Sequence, residues 1–116
     1  LIDDMLATGH TILDVARELK KRGAGRIFIC VTFGLFSNGT SELDTAYNDG
    51  IFDSIYTTNL SYCPDEVKNK PYYHSVDLSK YISAIIDTLN HDTSVNDLID
   101  ATQRIQDIVE KHNADR

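Results

Sequence analysis

The stretch that most restricts the fold is Arg26-Ile-Phe-Ile-Cys-Val-Thr32, an unbroken apolar run rich in β-branched residues. A strand with one wet face alternates apolar and polar residues. A continuous run reads instead as a strand buried on both faces, as in a parallel α/β sheet. On that reading Cys30 is a core thiol. Upstream, Ile12, Val15, Ala16 and Leu19 recur at i, i+3, i+4 and i+7, marking the buried face of a helix from Thr11 to Arg22. Gly23 is placed to cap its C-terminus. The apolar pair Leu1-Ile2 reads as the end of another buried strand. Strand, helix and strand within about 30 residues make a βαβ unit.

The pattern continues downstream. Thr40 or Ser41 caps a short helix to about Asn48, with Leu43, Ala46 and Tyr47 inward and Asn48-Asp-Gly50 as its stop. Ile51–Thr57 reads as a strand, 58–71 as a loop with two prolines, and Tyr72–Val76 as a short strand. Asp77 caps a helix whose Leu78, Tyr81, Ile82, Ile85, Ile86 and Leu89 keep the helical repeat. Ser94 with Asp97 resembles a capping box. It opens a last helix with a stripe of Leu98, Ala101, Ile105, Ile108 and His112. These elements predict an α/β fold: a three-layer α/β/α arrangement around a mainly parallel sheet over residues 1–93, and a helical extension over 94–116.

The chemistry concentrates between the first strand and the first helix, at Asp3-Asp4-Met-Leu-Ala7-Thr8-Gly9-His10-Thr11. A small polar loop entering a helix N-terminus is suited to a phosphate, because N–H groups there lack partners within the helix and the dipole favours an anion. Thr8 and Thr11 add hydroxyl donors, and Gly9 permits close backbone approach. Asp3 and Asp4 are acceptors for paired hydroxyls or, through water, for Mg²⁺. Together these groups point to a phosphorylated sugar. The structural alternative makes one carboxylate a loop cap and leaves the other in water.

Other features are less informative. His10, His74, His91 and His112 lack metal-ligand spacing. A net charge of −7 argues against a nucleic-acid surface and leaves any phosphate site dependent on local N–H groups. The two cysteines, Cys30 and Cys63, fit neither a zinc pattern nor a disulfide framework, consistent with a reducing cytoplasm. No stretch approaches the ~18 apolar residues of a membrane span. Only about two residues precede Asp3, so the chain reads as a fragment cut inside or just after a core strand.

The Asp3–Thr11 stretch resembles the phosphoribosyl-pyrophosphate-binding motif of type I phosphoribosyltransferase-fold proteins. Three further segments resemble the ribose-phosphate pyrophosphokinases in order and approximate spacing. These are Thr32-Phe-Gly-Leu-Phe-Ser37, Thr57-Thr58-Asn59 and Ser94-Val-Asn-Asp-Leu98. The similarity covers roughly residues 1–98. His10 stands where those synthetases usually have a second glycine, and Phe33 where they usually have histidine.

The resemblance implies that Asp3 and Asp4 hold the ribose hydroxyls and help place Mg²⁺. It implies that Ala7, Thr8, Gly9, His10 and Thr11 wrap the 5-phosphate. The full protein would transfer diphosphate from Mg·ATP to the 1-hydroxyl of ribose 5-phosphate, as a homo-oligomer in the cytoplasm. The ATP site and catalytic loop fall largely outside this chain, which then contains no catalytic group and does not turn over alone. The alternatives are a nucleobase phosphoribosyltransferase, which leaves Thr32–Ser37 and Ser94–Leu98 unexplained, and a degenerate regulatory paralogue marked by Phe33 and His10.

Overall fold

Four strands lie side by side in the order β1-β2-β3-β4, every neighbouring pair parallel. In a computed structural model describing residues 1–116, the strands are β1 (Ile2–Leu6), β2 (Phe28–Gly34), β3 (Ser54–Thr58) and β4 (Tyr73–Val76). The helices are α1 (His10–Lys21), α2 (Ser41–Asn48), the short α3 (Asp65–Lys68), α4 (Ser79–Asn90), the short α5 (Asn96–Ile99) and α6 (Thr102–Ala114). The α/β class and parallel sheet are those expected from the apolar runs. The chain divides into two compact units, Leu1–Leu78 and Ser79–Arg116, earlier than the 93/94 division read from the sequence.

In the first unit α1, α2 and α3 follow successive strands and bury their apolar sides in one core. Ile12, Leu13 and Ala16 of α1 meet Leu43 and Ala46 of α2, Val67 of α3, and Ile29, Val31 and Ile55 of the sheet. Each such large aliphatic side chain contributes about 1.5–3 kcal/mol when fully buried. The buried face of α1 is shifted from the expected one: Leu13 is fully buried, whereas Val15 is 45% exposed.

Three further expectations are corrected. Asp3 and Asp4 lie within β1 rather than after it; β1 is an edge strand, where charged residues are tolerated because one side meets no neighbour. β2 is not buried on both faces: Ile29 and Val31 point into the core, while Phe28 and Cys30 are exposed on the other face. Residues 58–71 are not wholly loop, since α3 interrupts them and buries Val67.

In the second unit the expected last helix is broken. Asp100 takes an extended conformation and accepts the Thr102 N–H at 2.9 Å, so α5 stops and α6 starts anew. Arg104 of α6 stacks over the Tyr81 ring of α4 at 5.6 Å and donates to the Leu98 carbonyl. No helix is long and apolar enough to cross a membrane.

Candidate functional site

β1 ends at buried Leu6, and the chain then turns through Ala7, Thr8 and Gly9 into α1. The turn requires Gly9. Its φ is 87°, in the left-handed region, and a Cβ there would stand 3.3 Å from Leu43 Cδ2. The Gly9 carbonyl accepts the first helical bond, from the Leu13 N–H at 2.9 Å. The first N–H groups of a helix have no partner within it and suit an anion; that of His10 lies 3.5 Å from Thr8 Oγ1.

The concavity in front of this turn has a volume of about 190 Å³ and is lined by Asp3, Leu6, Ala7, Thr8, Gly9 and Thr11, with Met5 and Ile12 beside them. That is smaller than the roughly 300–1,000 Å³ of pockets for drug-sized ligands, a scale suited to a small phosphorylated molecule.

The predicted residues do not all converge on it. Ala7, Thr8, Gly9, Thr11 and Asp3 do. Asp4 does not line the cavity; its backbone N–H donates to Asp3 Oδ1 at 2.8 Å. His10 does not line it either. Its Nδ1 lies 2.9 Å from Glu42 Oε2 on α2, with both side chains about half exposed.

The residues after β2 brace the turn from behind, although none of them lines the cavity. The Leu35 and Phe36 N–H groups donate to the Leu6 carbonyl at 2.8 and 3.3 Å, and the Ser37 N–H donates to the Ala7 carbonyl at 2.9 Å. The Thr32–Ser37 segment is therefore stitched to the loop. Phe36 makes this possible with a positive φ of 49°, fixed by burial and by an edge-on contact with Tyr73 at 5.8 Å. Thr58 ties β3 to the same rim by donating from Oγ1 to the Thr32 carbonyl at 2.6 Å.

No group of three or more His, Cys, Asp or Glu side chains is placed to hold a metal ion. Of the adjacent carboxylates Asp3 and Asp4, only Asp3 faces the cavity, where a Mg²⁺ ion would meet it. This ion commonly keeps its waters and binds one or two carboxylates together with ligand oxygens.

α2 is anchored from behind. Burial raises the Asp44 carboxyl, but bonds from Lys70, Tyr72 and Thr40 outweigh it and hold it below its ordinary 3.8. The Tyr72 phenol is pushed up by burial and then by its bond to Asp44. A second cavity, of about 330 Å³, opens where β3 and β4 end, among Thr58, Asn59, Cys63, Lys68, Tyr73 and Ser75. Burial raises the Tyr73 phenol there, followed by its contact with the Cys63 thiol.

The model of the family described as the phosphoribosyl synthetase-associated domain matches residues 1–100. The chain belongs to that family. Among curated relatives of this phosphoribosyl synthetase-associated chain, the ribose-phosphate pyrophosphokinase of Mycoplasmopsis pulmonis is 31% identical over 98 residues, 84% of this chain and 30% of that protein. That of Haemophilus ducreyi is 30% identical over 101 residues, 87% of this chain and 31% of that protein. That of Parasynechococcus marenigrum is 46% identical over 59 residues, 51% of this chain and 17% of that protein. The chain thus spans less than a third of the length of these relatives. The crystal structure of phosphoribosylpyrophosphate synthetase from Mycobacterium smegmatis superposes with a TM-score of 0.68 at 23% identity, covering 79% of this chain and 30% of that one. That likeness establishes a shared fold.

Two contacts that support the site of this family member were not evident from the sequence. Ser37 reaches the loop through its backbone, which leaves no trace in residue type. Glu42 meets His10 across elements distant in sequence; only their opposite charge types hinted at a pairing.

Proposed function

We propose that this chain supplies the ribose 5-phosphate-binding part of a ribose-phosphate pyrophosphokinase-like enzyme. The whole enzyme transfers diphosphate from Mg·ATP to the 1-hydroxyl of the sugar, forming phosphoribosyl pyrophosphate. The observation that carries this reading is one cavity bringing the Asp3 carboxylate together with the Thr8-Gly9-His10-Thr11 turn at the head of α1. Family membership and the relatives' names support it.

In this reading the 5-phosphate sits on the Ala7–Thr11 turn, bound by N–H groups, by the helix dipole and by the hydroxyls of Thr8 and Thr11. Asp3 accepts hydrogen bonds from the ribose hydroxyls. Asp3, with Asp4 adjacent to it in β1, would hold Mg²⁺. Mg²⁺ supplies charge neutralisation to the transferring phosphoryl groups. The residues of this chain bind and orient the sugar, and the ATP-binding groups lie elsewhere in a cytoplasmic homo-oligomer. The isolated chain binds ribose 5-phosphate weakly and does not turn over.

Calorimetry with ribose 5-phosphate and Mg²⁺ tests this. Measurable heat that disappears in the Asp3→Ala, Asp4→Ala double variant is expected. Affinity unchanged in that variant, or ATP-dependent synthesis by residues 1–116 alone, would overturn the corresponding part of the reading.

A further inference from the structure

The turn that forms the phosphate cavity does not hold its shape alone. Gly9 packs so closely on α2 that a Cβ would come within 3.3 Å of Leu43 Cδ2. The preceding residue of α2, Glu42, places Oε2 at 2.9 Å from Nδ1 of His10. Two consecutive residues of α2 therefore grip two consecutive residues of the turn. α2 is itself fixed. Leu43 is 1% exposed in the core, and Asp44 accepts from Lys70 Nζ at 2.6 Å and from Tyr72 Oη at 2.8 Å.

A phosphate site built from backbone N–H groups depends on their convergence. Ordering a backbone segment costs conformational entropy at every residue, and a turn already held loses less of it when the anion arrives. His10 is suited to be the handle. It is the first residue of α1, and its ring turns toward Glu42 rather than lining the cavity. A glycine at this position, as in the synthetases the sequence resembles, offers α2 no side chain to hold.

We propose that Glu42 is a positioning residue for the phosphate turn. Acting through His10, and alongside Leu43 on Gly9, it clamps the turn in its anion-receiving shape. The inference rests on reading this turn as the 5-phosphate site. Lys70, Tyr72 and Thr40 meet Asp44 on the far side of α2, so the Glu42–His10 pair is a separate connection.

The clamp is tested first without ligand. Amide hydrogen exchange of residues 8–12 is measured by NMR in the parent chain and in four variants: Glu42→Ala, His10→Ala, their combination, and Glu42→Gln. An exposed pair of this kind supports a change of about two- to five-fold. Glu42→Ala and His10→Ala are each expected to speed exchange by that factor. The combination goes no further than either alone, and Glu42→Gln, which keeps a hydrogen-bonding carbonyl, falls between. Affinities for ribose 5-phosphate and for inorganic phosphate drop by the same factor.

Unchanged exchange in Glu42→Ala overturns the clamp, as do effects that multiply in the combined variant. Weakened affinity in His10→Ala alone would make His10 a direct phosphate ligand and also overturn it. If inorganic phosphate follows the expected pattern while ribose 5-phosphate binds no better than phosphate, the clamp stands and the sugar reading fails. If the parent chain binds neither, the phosphate site and the clamp's role in it fall together.

Discussion

Replacing Asp44 with alanine removes the group on which three donors converge. Its carboxylate accepts from Lys70 Nζ at 2.6 Å, Tyr72 Oη at 2.8 Å and Thr40 Oγ1 at 3.2 Å. Tyr72 is 1% exposed and Thr40 is buried, so their hydroxyls would lose an acceptor where water reaches poorly. A buried donor left unsatisfied costs about 1–3 kcal/mol. The partly exposed Lys70 pair contributes no more than about 1 kcal/mol. With some relaxation, the expected loss is about 2–4 kcal/mol. For a chain of this length each kcal/mol lowers Tm by about 3–6 °C, so a drop of roughly 10 °C is expected. Asp44→Asn keeps one acceptor for Tyr72 but loses the charge and the oxygen that Lys70 and Thr40 share, so at least half that drop follows.

The pH dependence has a definite sign. Burial raises the Asp44 carboxyl, and the bonds from Lys70, Tyr72 and Thr40 more than reverse this, leaving it below 3.8 in the folded chain. A depressed folded-state pKa contributes stability that is fully present above the unfolded value and is lost as pH falls through the folded value. The gap between the parent chain and Asp44→Asn is therefore full at pH 7, begins to narrow near the ordinary carboxylate range and shrinks further below it. Thermal unfolding followed by far-ultraviolet circular dichroism at pH 7, 5 and 3 measures this. An Asp44→Ala chain as stable as the parent, or a gap that widens in acid, would refute the reasoning.

Gly9→Ala combines a strained positive φ with a tight approach to Leu43. Calorimetry and unfolding should show weaker ribose 5-phosphate binding and a stability loss of about 1 kcal/mol, the αL strain exceeding the gain from a stiffer unfolded chain. Gly34→Ala is harsher, since its Cβ would sit 2.7 Å from Phe36 Cε2 and 2.8 Å from Thr57 Cγ2. Overpacking of this kind costs about 1–3 kcal/mol, readable as a lower urea midpoint. Asp3→Asn and Asp4→Asn should differ: in calorimetry without Mg²⁺, Asp3→Asn weakens sugar-phosphate binding and Asp4→Asn leaves it nearly unchanged, because only Asp3 lines the cavity.

The sheet was legible because its signals are local. The run around Ile29 and Val31 and the periodic apolar residues of α1 and α2 depend only on near neighbours in sequence. The phase of a helix face is less securely written. Ile12, Leu13 and Ala16 face the core and Val15 does not, yet both stripes fit the helical repeat. Cys30 looked buried because its run is apolar, but the strand presents every second residue to the open face. The acidic pair looked like a loop because charge usually ends a strand, and its place at the sheet edge removes that penalty. The phosphate turn itself was readable from small and hydroxyl residues ahead of a helix. Its supports were not: the Ser37 contact is made by backbone, the left-handed Phe36 is a bulky residue no turn rule selects, and Glu42 reaches His10 only once α1 and α2 share a core face.

The spatial order of the strands repeats their order in the chain, and α1, α2 and α3 share one core. The winding from Leu1 to Leu78 consequently never changes direction. Open α/β sheets form their crevice where neighbouring connections depart to opposite sides, and this unit has no such parting of its own. A further strand laid along the free side of β1, with its connection crossing the face opposite α1, α2 and α3, would create the parting beside Asp3 and Thr8. Of the two cavities on the carboxyl rim, the smaller one at β1 would then lie between diverging connections, and the larger one at β3 and β4 would stay on a uniformly wound flank.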